Sequence, residues 1–462
     1  MATTERFEYV FLGGGKGGKT LATELANAGK RVAVVERGMI GGSCINVACI
    51  PTKALIHSAR VVHAAAESRN YGVPADTSEV DMQGVQRHVR KVVDELVDIN
   101  FNAFRASGLE LVLGNGRFVA PRTLEVALVE GGTRVIEGEH VFINTGTHAA
   151  IPPVPGLADA RPMTHVEALR LERRPEHLIV IGGGYVGLEM AQAFRRLGSR
   201  VTLLQDGPRV ASREDQDVTD AIEAAFAQEG IEIRTGIKIR EVTGASGERV
   251  NVALADGTVI TATDILVAAG RTPNTREIGL HLAGVEADAR GFLKVDEHLA
   301  TTAPNTWAIG EVAGTPMFTH ASWDDYRVLR SQLNGGDRST KGRLVPYAMF
   351  IEPELGRVGL SEIEAAALGI EVRVAKIPMA VVPRARTIAD TRGFMKALVA
   401  KDTDEILGFT MLGSNAGEVV AVVQMAMLGK LPYTAVRDAI IAHPTISEGL
   451  NLLFGKVPAR TV

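Results

Sequence analysis

Residues 11–38, FLGGGKGGKTLATELANAGKRVAVVERG, and residues 180–207, VIGGGYVGLEMAQAFRRLGSRVTLLQDG, align with each other without a gap. Each segment leaves an apolar strand, passes through G-x-G-x-x-G and runs along an amphipathic helix. Each then turns at Gly29 or Gly198 and enters a second strand, Arg31–Val35 or Arg200–Leu204. That order is a strand–helix–strand unit whose helix N-terminus faces the phosphates of a dinucleotide. Gly13 and Gly182 allow the tight turn, Gly15 and Gly184 let pyrophosphate approach the backbone, and Gly18 and Gly187 let helix pack on strand. One such loop is weak evidence. Two in matching frames predict an α/β fold with two Rossmann-like dinucleotide-binding domains.

The second strands end differently. Glu36, followed by Arg37, stands where an acid accepts the ribose hydroxyls of an adenine dinucleotide, so the first unit suits FAD. The matching position of the second unit is Gln205, followed by Asp206. Without the acid a 2′-phosphate is rejected less strongly, and Arg209 or Arg213 is available to pair with one. The second nucleotide is therefore NADH or NADPH, with Gly270 at the far edge of its unit.

Around these units, 462 residues are too many for one ordinary core. The expected division is an FAD-binding domain at 1–150 and 271–340, an inserted NAD(P)H-binding domain at 151–270, and a separate C-terminal α/β domain at 341–462. Pro152, Pro153 and Pro155 mark the first crossover, and Glu371–Ile377 and Met395–Ala400 read as strands of the last domain. Residues 80–107 have the period of a long amphipathic helix, with Val85, Val89, Val92 and Leu96 expected in the core. The run Val419–Leu428 reads as a buried helix, too short for the ~18 apolar residues of a membrane span. A net charge of −4 gives no electrostatic ground for nucleic-acid binding. The polar Met1-Ala-Thr-Thr-Glu-Arg start has no apolar signal core, so the cytoplasm is the expected location.

The two cysteines, Cys44 and Cys49, fall in Gly41-Gly42-Ser43-Cys44-Ile45-Asn46-Val47-Ala48-Cys49-Ile50-Pro51-Thr52-Lys53, directly after the first unit. A loop this short gains little from a structural disulfide, and reducing cytoplasm opposes one. His57 completes no recognisable zinc pattern, so no metal is expected. Redox chemistry is the better reading of the spacing and its context. Pro51 suits the first turn of a helix that begins between the cysteines, and a helix N-terminus favours thiolate. Lys53 lies four positions past Cys49, on the same helical face.

GGSCINVACIPTK resembles the active-site signature of the class I pyridine nucleotide–disulfide oxidoreductases, the family of dihydrolipoamide dehydrogenase, glutathione reductase and mercuric reductase. The resemblance extends over the whole chain and includes His443-Pro444-Thr445-Ile446-Ser447-Glu448. Residues 14–22, 324–327, 383–386 and 390–393 carry a nearer likeness to the mercuric-reductase-like branch, which includes bacterial reductases of hypothiocyanous acid and other reactive-chlorine products. The resemblance implies that Cys49 is the charge-transfer thiol beside the flavin and Cys44 the interchange thiol. It pairs Lys53 with Glu189 near the reactive flavin nitrogen and makes Tyr185 an aromatic gate over the flavin. It assigns flavin contacts to Gly42, Ser43, Thr145, Gly146, Arg271 and Ala308-Ile309-Gly310-Glu311. His443, oriented by Glu448, becomes the general acid–base for the cysteine pair of the other subunit, which implies a homodimer and a C-terminal dimerisation domain.

Three departures qualify the likeness. Ala48 replaces the usual Gly, tightening the turn before Cys49, and Glu311 replaces the usual Asp at the flavin ribityl chain. The segment Gly455-Lys-Val-Pro-Ala-Arg-Thr-Val lacks the cysteine pair that delivers Hg(II), while His443, which mercuric reductases generally lack, is present. The implied substrate is a small disulfide or reactive oxidant rather than mercury. Two readings compete: a dihydrolipoamide dehydrogenase, and a flavin-binding redox sensor with little turnover.

Overall fold

The computed structural model describes residues 4–75 and 79–460. The expectations placed on Met1, Ala2 and Thr3, and on Thr461 and Val462, lie outside the described residues. Both glycine-loop units form as read. In the first, Thr4–Leu12 pairs in parallel with Val32–Glu36, which pairs in parallel with Glu110–Ala120. The second strand starts one residue later than expected and includes Glu36, because Glu36 still pairs with Leu113. The long strands Glu110–Ala120 and Thr133–Ile143 continue beyond the parallel part and join Thr123–Leu128 in an antiparallel extension. Thr306–Ala308 returns from far along the chain to pair with Thr133–Ile143.

The second unit repeats this plan. His177–Ile181, Arg200–Leu204 and Glu232–Arg234 run parallel, with Asp264–Val267 on the other side of His177–Ile181. Ile239–Ala245, Arg249–Leu254 and Val259–Ala262 form a separate antiparallel sheet. The reason both loops bend alike is visible at Gly13 and Gly182. Their φ values are +104° and +109°, and a Cβ would stand 2.4 Å from the carbonyl oxygen of Asn144 or 2.5 Å from that of Ala268. No side chain fits either turn.

A five-stranded antiparallel sheet follows, ordered Tyr347–Met349, Leu355–Gly359, Ile406–Leu412, Phe394–Ala400, Val372–Pro378. Of its two predicted strands, Glu371–Ile377 appears one residue later as Val372–Pro378, and Met395–Ala400 begins one residue earlier at Phe394 and ends as expected. The helix Ala416–Leu428 covers one face with Val419, Val420, Val423 and Ala426. Here the expectation of a buried helix needs correction. Val422, Met425 and Leu428 are exposed, and so are Leu431 and Ile440 nearby. The helix is apolar all round, but one sheet can cover only one of its faces.

The predicted long helix is present as Met82–Ser107. Of Val85, Val89, Val92 and Leu96, however, only Val89 is buried and the others are partly exposed. The helix packs against Cys49–Glu67 and Lys16–Asn27 along a narrower line that includes Gln86 and Phe104. Among the described residues, no helix is long and apolar enough to cross a membrane.

Candidate active site

Between the two predicted cysteines the chain changes element. Cys44 sits in the short helix Ser43–Asn46, and a new helix, Cys49–Glu67, starts at Cys49 itself. Gly41 and Gly42 have φ near +87° and +86°, and a Cβ on Gly42 would lie 2.8 Å from the Cα of Gly15. The cysteine loop is thereby seated directly on the first glycine loop. Ala48 has φ −130°, so the alanine meets no left-handed turn there.

Cys49 has the electrostatics of a thiolate. Its Sγ lies 3.3 Å from the Thr319 hydroxyl. A hydrogen bond from Cys44 lowers its pKa to about 6, with help from Thr319 and the Lys53 charge and against the opposing effect of burial. Cys44 moves the other way, pushed up by donating to Cys49 and by burial. The pair therefore gives up one proton readily, and the anion rests on Cys49 at the positive end of a helix.

Lys53 and Glu189 meet as implied. The ammonium donates to both carboxylate oxygens, at 3.0 and 2.9 Å, and the Phe350 amide donates to Glu189 at 2.9 Å. Glu189 is buried, and Lys53 lies 4.7 Å from the centre of the Phe350 ring.

A cleft of about 440 Å³ runs from Gly13, Gly15, Glu36 and Arg37, past Gly42, Ser43 and Cys44, to Thr145, Gly146, Arg271, Gly310, Glu311 and Thr319. Its residues suit an extended dinucleotide. Oε2 of Glu36 accepts from the Gly14 amide at 2.8 Å and Oε1 from Gly38 and Met39 at 2.9 Å, leaving one acceptor position for a ribose hydroxyl. Thr145 keeps a buried hydroxyl with no partner among the described residues. Glu311 is turned toward Thr147 and Arg271, the latter 3.1 Å away. The second unit mirrors the first: the Gly183 amide donates to Gln205 at 2.7 Å. A Cβ at Gly184 would meet no protein atom, which leaves room for a phosphate against the backbone, whereas one at Gly187 would strike the Gly182 carbonyl. Gly270, with φ +119°, accepts from Ala150 through its carbonyl.

His443 is not brought to the cysteines of its own chain. Its ring is exposed, and Nδ1 is 2.8 Å from Glu448. Several residues escaped sequence reading. Asn144 accepts from the Gly18 amide at 3.2 Å and donates to the Ile309 carbonyl at 2.8 Å, tying the loop to the residue that follows the strand Thr306–Ala308. Asp325 is buried and accepts from the Gly310 amide, Thr315 and Arg343. Lys19 is buried, bonds to Asn100, and is lowered by that burial to a pKa of about 8. Lys19 and Asp325 lie in segments 14–22 and 324–327, which the sequence singled out only for family likeness, and Asn144 directly precedes the Thr145-Gly146 pair.

The sequence model of the family "Pyridine nucleotide-disulphide oxidoreductase" matches residues 7–325, and that of its dimerisation domain matches 345–453. A curated relative, "Probable pyridine nucleotide-disulfide oxidoreductase RclA" of Escherichia coli, is 37% identical over 98% of this chain and 99% of its own. The mercuric reductase of Streptomyces lividans is 35% identical over 96% of this chain and 95% of its own. Among solved structures, the HOCl-induced flavoprotein disulfide reductase RclA from Escherichia coli superposes with a TM-score of 0.89 at 37% identity, covering 98% of this chain and all (100%) of that one.

Proposed function

The chain belongs to the pyridine nucleotide–disulphide oxidoreductases, enzymes that work with a flavin and a nicotinamide cofactor, and we propose that it draws electrons from NADH or NADPH through FAD into Cys44 and Cys49 to reduce a small disulfide or reactive oxidant. One observation carries this reading: the acidified Cys49 lies at a helix start, with Thr319 at its sulfur and the Lys53–Glu189 pair one turn along.

Bound FAD would supply the hydride acceptor and two-electron donor that links the nicotinamide to the cysteine pair. The first glycine loop and Glu36 would hold its phosphates and ribose, and the second loop with Gln205 would hold the nicotinamide nucleotide behind the Tyr185 gate. Lys53 and Glu189 fix the cysteine helix against the nucleotide helix. In the reduced pair Cys49 keeps the anion, and Cys44, whose burial resists ionisation, needs a base. The partner subunit's His443, oriented by Glu448, takes that proton. The Cys44 thiolate attacks one sulfur of the substrate disulfide, and the departing sulfur receives the proton. Cys49 thiolate then attacks Cys44, re-forming the Cys44–Cys49 bond and expelling the second sulfur as a thiolate, which takes its proton from solvent. With hypothiocyanite, Cys44 takes the electrophilic sulfur, hydroxide leaves, and the closing step expels thiocyanate.

The acid–base histidine makes this a homodimer, and the exposed Val422, Met425 and Leu428 face fits a second copy. The domains fall at 1–150 with 271–340, 151–270 and 341–462, and a cysteine pair reduced by NADH or NADPH belongs in the cytoplasm. The description of the Escherichia coli relative as HOCl-induced supports a role in oxidant defence.

Dihydrolipoamide oxidation is the second reading, favoured by the His443–Glu448 hydrogen bond, which serves proton transfer in either direction. Steady-state turnover of hypothiocyanite and small disulfides with each nucleotide, against dihydrolipoamide with NAD⁺, separates the two. Higher kcat/KM for the oxidants is expected, and dominant dihydrolipoamide turnover would reverse the order.

A further inference from the structure

Tyr185 is the first residue of the helix behind the second glycine loop, directly after Gly184. That ring is 5.6 Å from Tyr347, and Tyr347 stacks on Phe318 at 5.4 Å with the planes 4° apart. Phe318 lines the flavin cleft beside Thr319, the neighbour of Cys49. A row of aromatic rings therefore connects the nucleotide loop to the redox centre.

The two phenols are tied to a single atom. Tyr185 donates to Oε1 of Glu214, and Tyr347 donates to the same oxygen at 2.7 Å. The other oxygen accepts from Arg357 at 3.3 Å. Glu214 is 1% exposed and Arg357 3%, and Arg357 is also paired with Glu364. The next residue, Asp215, is bound by the buried ammonium of Lys396 at 2.8 Å, which also contacts Asp217 and Glu362. The chain segment carrying Glu214 is thus clamped to the five-stranded sheet on both sides. Burial and the Glu214 charge push both tyrosines well above the ordinary phenol range, so both remain donors.

We propose that Glu214, fixed by Arg357 and shared with Tyr347, is a latch that holds the Tyr185 ring across the approach to the flavin, so that a nicotinamide nucleotide must break the Tyr185–Glu214 hydrogen bond to reach its site of reaction. Glu214 touches neither ligand in this arrangement and is a positioning residue. The proposal rests on the reading of Gly182–Gly187 as the nucleotide loop and Tyr185 as its gate. The physical basis is that moving the ring away deprives a buried carboxylate of one donor, a cost that appears as weaker apparent nucleotide binding. Because Tyr347 and Arg357 belong to the five-stranded sheet, that sheet sets how tightly the gate is held.

The test is anaerobic stopped-flow reduction of the FAD-loaded enzyme, with NADH and NADPH titrated separately, comparing wild type, Tyr185→Phe, Glu214→Gln and the double variant. Tyr185→Phe keeps the ring and removes the tether, so the apparent Kd for the nucleotide should fall about 10-fold. Glu214→Gln retains an acceptor without charge and should lower it about threefold. The double variant should go no further than Tyr185→Phe, since both changes act on one bond. An unchanged or raised Kd in Tyr185→Phe, or additive effects in the double variant, overturns the latch. If Glu214→Gln does not fold, Tyr185→Phe decides alone. If neither nucleotide reduces the wild-type flavin, the nucleotide-site reading and the latch fall together, an outcome distinct from wild-type reduction without a Kd change.

Discussion

The Lys53 ammonium lies 3.0 and 2.9 Å from the two carboxylate oxygens of Glu189, joining the helix that begins at Cys49 to the helix that begins at Tyr185. Glu189 is 5% exposed at its side chain and Lys53 33%, so the carboxylate depends on this partner more than the ammonium does. Lys53→Met leaves Glu189 buried and uncompensated. Destabilisation of about 2 kcal/mol is expected, below the buried-pair range because water reaches Lys53, together with slowing of flavin reduction by roughly 100-fold. Thermal unfolding and stopped-flow reduction measure the two effects. Unchanged reduction with lowered stability would make the pair purely structural.

The reduced cysteine pair should titrate as a unit. Cys49 is depressed to about 6, so its thiolate persists above that pH and is lost as the pH falls through it. Cys44→Ala removes the largest cause of the depression and should move the Cys49 transition upward. Ultraviolet thiolate absorbance of the reduced proteins follows both transitions. A wild-type transition at the ordinary thiol pKa would contradict this assignment.

His443→Gln should lower turnover of a disulfide substrate by about 10²–10⁴-fold. Glu448→Gln, which leaves imidazole present but weakens its orientation, should cost less. Their pH profiles distinguish acid–base loss from misfolding: His443→Gln should change the pH dependence of kcat, and Glu448→Gln should change it less. A retained profile in His443→Gln would assign the proton to another group.

Met425→Glu places a charge in the exposed apolar face of Ala416–Leu428. Sedimentation should show a shift from dimer to monomer, and disulfide reduction should fall with the dimer fraction while each chain keeps its flavin. An active monomer would remove the partner subunit's His443 from the mechanism.

The parts of this site legible in sequence are those that constrain neighbouring residues. Gly13 and Gly182 are required by local turns, and Cys49, Pro51 and Lys53 are spaced by one helix start. Contacts assembled from distant segments were legible only where the family resemblance implied them, as for Lys53 and Glu189. Thr319 reaches Cys49 from 270 positions away, and Tyr347 meets Tyr185 only because the five-stranded sheet packs on the nucleotide unit. Nothing in the local period around either residue specifies those contacts. The same limit explains Ala416–Leu428, where uniform apolarity concealed which face is covered, and Val92 and Leu96, where a helical stripe was wider than the contact it serves.

In the proposed reaction, electrons leave the flavin through Cys49. Anaerobic titration of the FAD-loaded protein with NADH or NADPH tests it most directly. One equivalent should open the Cys44–Cys49 bond, release two titratable thiols and produce a long-wavelength thiolate-to-flavin band that Cys49→Ser lacks. Full flavin bleaching with the disulfide still intact would contradict the account.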